Sequence, residues 1–144
     1  MHQVPESTVI IAQACLGLGQ AEQAALLVRE AITLIDRTSH RFYEAEAHRV
    51  LGEALLICND TPGAETAFLK ALEIARLQQA KSWELRAAMS MARLWRDQGK
   101  REEARELLAP VYGWFTEGFD TRDLKEAKAL LDVLGGGNGA PFRA

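Results

Sequence analysis

Small residues recur along this chain at a spacing of 40, and that spacing limits its fold more than any other feature. Ala12, Gly52 and Ala92 stand 40 apart, as do Gly19, Asn59 and Gly99, then Ala24, Ala64 and Ala104, then Ala31, Ala71 and Val111. Four sets in a single register mark an internal repeat, in which each unit buries its apolar face only against its neighbours. Twenty-three alanines and nineteen leucines, with four prolines in 144 residues, make the repeating element helical. Each unit reads as a helix, a short turn at Gly19, Asn59 or Gly99, and a second helix. Small residues at matched positions let the antiparallel pair approach closely.

The expected class is therefore all-α: a right-handed, tetratricopeptide-like helical hairpin solenoid of three hairpins plus a terminal capping helix. Hairpins are expected over about 5–38, 41–80 and 82–118 and the capping helix over about 121–134, so that 1–134 is the repeat domain and 135–144 a flexible Gly-rich tail. A tetratricopeptide unit has about 34 residues; longer second helices and connections account for the difference. Thr61-Pro62 predicts a hydroxyl cap followed by proline in the first turn. Asp120 and Asp123 predict a capping box for the last helix, whose Leu131 continues the register of Leu51 and Met91. Its Glu126, Lys128 and Asp132 keep one face wet, as the end of a stack requires. Gly52, Ala92 and Ala104 are expected at close helix crossings. Pro110 should bend the second helix of unit 3, with Tyr112, Trp114, Phe115 and Phe119 packing between that helix and the last.

Charge and cysteine usage exclude several classes. A net charge of -3, from 17 Lys+Arg against 20 Asp+Glu, argues against a nucleic-acid partner. No stretch reaches the roughly 18 apolar residues of a membrane span, and MHQVPESTVIIAQACLGLGQ lacks a basic region ahead of its apolar residues. A cytoplasmic chain without a membrane partner is expected. Cys15 and Cys58 lack metal-site or C-x-x-C spacing, so both are expected to be reduced and buried.

Material for catalysis is sparse. His2 and His40 fall at a terminus and in a connection, and His48 should be a packed or solvent-edge imidazole. H-E-x-x-H, G-x-S-x-G and the phosphate-binding G-x-x-x-x-G-K-[ST] are all missing, and GGGNG follows a helix with no lysine behind it. The charges of REEARELL alternate around a solvated helix. No enzyme, cofactor or metal site is expected. What a repeat stack supplies is the face of its first helices: Gln13, then Glu46, Arg49 and Glu53, then Arg86, Met89, Arg93 and Arg96. Arg86, Arg93 and Arg96 are offset by seven and three residues and rise along one side of a helix. They could hold an acidic peptide through bidentate pairs while Met89 gives an adaptable apolar contact and Arg49 and Glu53 limit its position.

Residues 71–134 carry the phrases SWELRAA, MARLW, LLAPVYGWFTEGFDT and DLKEAKALL, and RFYEAEAHRVLGEALL precedes them at 41–56. This wording resembles the C-terminal tetratricopeptide-like region of large bacterial regulators, in which an adenylate/guanylate cyclase or DNA-binding domain is joined to a predicted ATPase domain. The resemblance implies a regulatory protein-interaction region whose partner could be the regulator's own ATPase or cyclase domain, with catalysis residing in those other domains. The expected function is a non-catalytic protein-protein interaction or regulatory module. A homo-oligomerisation domain and a small-molecule sensing module, with a pocket meeting His48 or Met89, are the alternatives.

Overall fold

The computed structural model describes residues 5–38 and 41–135, with side chains from residue 7 onward. Among these residues there are seven helices and no strand: α1 (Pro5–Gly17), α2 (Ala21–Thr38), α3 (Glu44–Ile57), α4 (Thr61–Leu77), α5 (Lys81–Asp97), α6 (Arg101–Gly113) and α7 (Arg122–Gly135). His2, His40 and all but the first residue of the Gly-rich tail expected at 135–144 lie outside the described residues.

The 40-residue register has a direct backbone cause at the hairpin turns. Gly19, Asn59 and Gly99 all take left-handed φ values, of 77°, 67° and 82°. After each, an N–H reaches back to the last turn of the preceding helix: Gln20 to the Cys15 carbonyl, Asp60 to Leu55 and Lys100 to Trp95, each at 2.8 Å. This is the cap that closes a helix with a left-handed residue, and asparagine tolerates that conformation better than other side chains. Gln79 (φ 56°) repeats the device between α4 and α5, where the Ala80 N–H meets the Ala75 carbonyl at 2.9 Å. Three residues therefore join α4 to α5, as within every hairpin and in place of the longer inter-repeat connection expected, whereas eight residues (114–121) separate α6 from α7.

That turn geometry also moves the α4 cap one residue ahead of the expected Thr61. The chain leaves the left-handed conformation at Asn59, so Asp60 becomes the cap, and its carboxylate accepts the Gly63 N–H at 3.0 Å. Thr61 and Pro62 lie inside the first turn. At α7, Asp123 does not close a capping box with Asp120. Its carboxylate faces Arg86 at 3.8 Å instead.

Successive first helices touch one another, α1 to α3, α3 to α5 and α5 to α7, and each second helix lies against its own partner and the next first helix. Two layers result. One core joins Val9 and Ala12 to Val28, Ala31 and Ile35 of α2 and Ala47, Val50 and Ala54 of α3; a larger one runs from Phe68 through Met91 and Leu108 to Leu131. Gly52 marks the tightest crossing, since a Cβ there would lie 2.5 Å from the Phe68 ring. Ala92 and Ala104 are completely buried, as their register positions predict.

The C-terminal end departs from expectation in its aromatics. Pro110 sits inside α6, which stops at Gly113 after 13 residues, compared with 18 in α2 and 17 in α4. Tyr112 and Phe115 pack against the core, but Trp114 and Phe119 are half exposed because the chain has left the helix and runs along the surface. Cys58 is likewise exposed, being the C-cap residue of α3 at a solvated turn, while Cys15 is partly buried; both are free thiols. No helix among the described residues is long and apolar enough to cross a membrane.

Candidate partner-binding site

Four successive first helices contribute to one small depression of about 120 Å³. Its lining consists of Gln13 from α1, Arg49 from α3, Arg86, Met89 and Arg93 from α5, and Arg122, Asp123 and Glu126 from α7. The sequence places the first five of these on a common face, and the structure brings them together. Arg96 lies outside the depression and pairs with its neighbour Asp97 at 3.0 Å. Glu53 is half-buried and, without lining the depression, contributes to the electrostatic environment of Arg49.

Beneath this surface the arginines are already engaged. Glu46 is 3% exposed, and it accepts Arg49 Nε at 2.7 Å and Nη2 at 2.9 Å through its two oxygens. The same carboxylate takes Arg86 Nη1 at 2.8 Å. Arg49 also donates to Ser90 Oγ at 3.4 Å. Burial works against the charge on Arg49, but the hydrogen bonds and charge of Glu46 outweigh it, and the guanidinium is held protonated more firmly than usual. From Arg86 the network crosses to Asp123, and from Arg93 to Glu126 at 3.5 Å, which Arg122 meets at 2.9 Å. The hydrogen bond from Arg122 holds the Glu126 carboxyl below the ordinary carboxylate range.

Met89 is 3% exposed and forms part of the floor; it is not a projecting apolar contact. Periodicity predicts a capping box and a solvated face for α7, and the structure adds its Arg122, Asp123 and Glu126 to the lining. One signal was available: Glu46, Arg86 and Glu126 are 40 apart and alternate in charge. A second ladder in the same register joins Tyr43 to Trp83 at 5.4 Å between ring centres, with the Trp83 indole N–H donating to the Phe42 carbonyl at 3.1 Å.

His48 stands on α3, half-buried, away from this network. Desolvation lowers its pKa below the ordinary 6.5, and nearby Lys70 adds to the effect while Glu44 and Asp36 oppose it. The folded protein therefore holds the imidazole neutral at a pH where the unfolded chain takes up a proton. Acidification through 6.5 should lower the urea midpoint of unfolding, and His48→Gln should remove that part of the pH dependence.

A larger hollow of about 490 Å³ opens between the start of α5 and the α6–α7 connection, where Leu85, Trp114, Phe115 and Leu124 line it. It meets neither His48 nor Met89. Among the described residues, no group of three or more His, Cys, Asp or Glu could hold a metal ion.

No protein-family model and no curated protein matches the sequence. Among solved structures, the chain is similar to the "putative kinesin light chain nearly identical TPR-like repeats" of Podosopora anserina. The TM-score is 0.76 at 18% identity, over 96% of this chain and 70% of that one. The fold is tetratricopeptide-like. The tetratricopeptide-like stack accounts for the two-layer arrangement of α1–α7 and for the shared depression, because stacking aligns every first helix along one face.

Proposed function

We propose that this tetratricopeptide-like stack is a non-catalytic protein-interaction module whose first-helix face takes an acidic peptide segment. One observation carries the reading: four guanidiniums (Arg49, Arg86, Arg93 and Arg122) line the depression against two carboxylates (Asp123 and Glu126), with a third, Glu46, buried beneath. The division of labour follows from exposure. Arg49 and Met89 form the floor, while the side chains of Arg86, Arg93 and Arg122 are 26%, 38% and 88% exposed and so are open to a partner. Arg96, one turn beyond Arg93, extends the basic edge, and Glu53 limits where an acidic chain can lie. Exposed charge pairs contribute little individually, so affinity requires several of these contacts at once. The resemblance of residues 41–56 and 71–134 to bacterial regulators supports a role beside an ATPase or cyclase domain, with 1–134 acting as a single repeat domain.

A fluorescein-labelled peptide of alternating glutamate and leucine provides the test. Arg93→Ala with Arg122→Ala should weaken its binding by about tenfold or more, and added salt should weaken the parent complex further. Arg96→Ala should have a smaller effect. Equal dissociation constants for the parent and a folded double variant would refute the site.

A further inference from the structure

The repeat register exposes an interface that the acidic-peptide site does not use. Among the described helices, α7 touches only α5 and α6, so its buried Ala127, Leu130, Leu131 and Leu134 identify the stripe that a first helix presents to the unit before it. Forty residues earlier the same stripe is Ala87, Ser90, Met91 and Leu94 of α5, and it is buried there too. In α3 it is Ala47, Val50, Leu51 and Ala54, of which only Leu51 is not fully buried. In α1 it is Ser7, Ile10, Ile11 and Ala14, and all four are exposed, with Ile10 at 56% and Ile11 at 53%. The spacing of three, four and seven residues makes this a continuous helix face, built in the register of three interfaces that are closed elsewhere in the molecule.

We propose that this α1 face docks a second copy of the chain, α1 against α1, about a two-fold axis. Three features of the molecule select that occupant. First, the far end cannot serve as the complementary surface. The α7 residues equivalent to Thr8, Val9 and Ala12, which cover the following unit, are Lys128, Ala129 and Asp132, all exposed, with Lys128 and Asp132 paired at 3.3 Å. Head-to-tail growth on α7 would bury that ion pair against isoleucine, whereas an isologous α1 contact buries only apolar and small residues. Second, α1 carries no charged residue from Ser7 to Gly17, so two copies meet without like-charge repulsion. Third, Ile11 is the midpoint of the 13-residue helix. An antiparallel crossing at that point sets Ile10 and Ile11 of one protomer on those of the other, with the small Ser7 and Ala14 admitting close approach at the flanks.

A contact built mainly on one helix lies at the small end of the interface scale, so the dimer should exchange with monomer in the micromolar range. Sedimentation equilibrium of the full chain across micromolar to millimolar concentrations should show the mass rising from 15.9 kDa to twice that value and no further. Ile11→Glu places two like charges at the axis and should weaken association at least about tenfold with an unchanged helical spectrum. Ile10→Gln should act in the same direction, and Val133→Glu, on the exposed side of α7, should not. In a Cys15→Ala, Cys58→Ser background with diamide as the two-electron oxidant, Ile11→Cys should form a disulfide-linked dimer and Val133→Cys should not. A mass fixed at the monomer value throughout would overturn the proposal and leave the stripe to a preceding repeat of a longer polypeptide. A mass growing past the dimer, or association indifferent to Ile11→Glu, would overturn it as well.

Discussion

Glu46→Gln should cost about 3 to 5 kcal/mol of folding stability, measured as a lowered urea midpoint with an unchanged slope. The carboxylate is almost fully buried and serves two guanidiniums, Arg49 at 2.7 Å and Arg86 at 2.8 Å. Arg86 keeps Asp123 as a partner, but Arg49 is 8% exposed and would face a neutral amide, whose oxygen accepts one of its N–H groups while its NH2 group opposes the other, with the long bond to Ser90 and no contacting counter-charge. Most of the loss therefore comes from an uncompensated buried charge, which salt screens poorly. Replacing both partners, Glu46→Leu with Arg49→Met, removes that charge along with its counterion. The double variant should recover most of the stability lost in Glu46→Gln, because a buried pair replaced by apolar groups of similar volume is often neutral. A double variant as unstable as the single one would mean that the network is worth more than its desolvation.

The second large effect lies at the α3–α4 crossing. Phe68→Ala should cost about 3 to 5 kcal/mol, since the ring is completely buried and no neighbour can fill its volume. The ring occupies the space left by the missing side chain of Gly52, so Gly52→Ala should cost about 1 to 3 kcal/mol by overpacking. The two sites are coupled. Gly52→Ala introduced into a Phe68→Leu protein should cost much less than in the parent, and a double-mutant cycle by denaturant unfolding reads that difference directly. Strict additivity would show that backbone movement, not the ring, absorbs the added methyl group.

The fold was legible because its register is written in residues whose backbone role is narrow. Gly19 and Gly99 suit a left-handed cap, and Asn59, at the same register position, takes the same conformation. Gly52 was legible as a crossing for the same reason, since a close approach excludes a Cβ. The helix start at Asp60 was harder to read, because Asp60 and Thr61 are both good caps by type and only the preceding turn decides between them. The site was partly legible. Arg49, Arg86, Met89 and Arg93 follow from helical periodicity and do converge. Periodicity says nothing of which carboxylates will already be in contact with those arginines, and so it left out Asp123 and Glu126. The exposure of Trp114 and Phe119 was hidden because irregular backbone has no period from which a buried side could be inferred.

The three-residue link between α4 and α5 bears on how the chain reaches this structure. From Glu44 to Gly113 the polypeptide turns back three times at the same short interval, closed each time by the same backbone bond. Short loops lose little entropy on closing, and contacts near in sequence form fastest. These four helices should therefore order as a nucleus on which α7, held off by its eight-residue connection, condenses later. In the native protein the same asymmetry sets the order of opening: amide protons of α7 should exchange with solvent ahead of those in the middle helices, so the end of the stack loosens while its centre still holds.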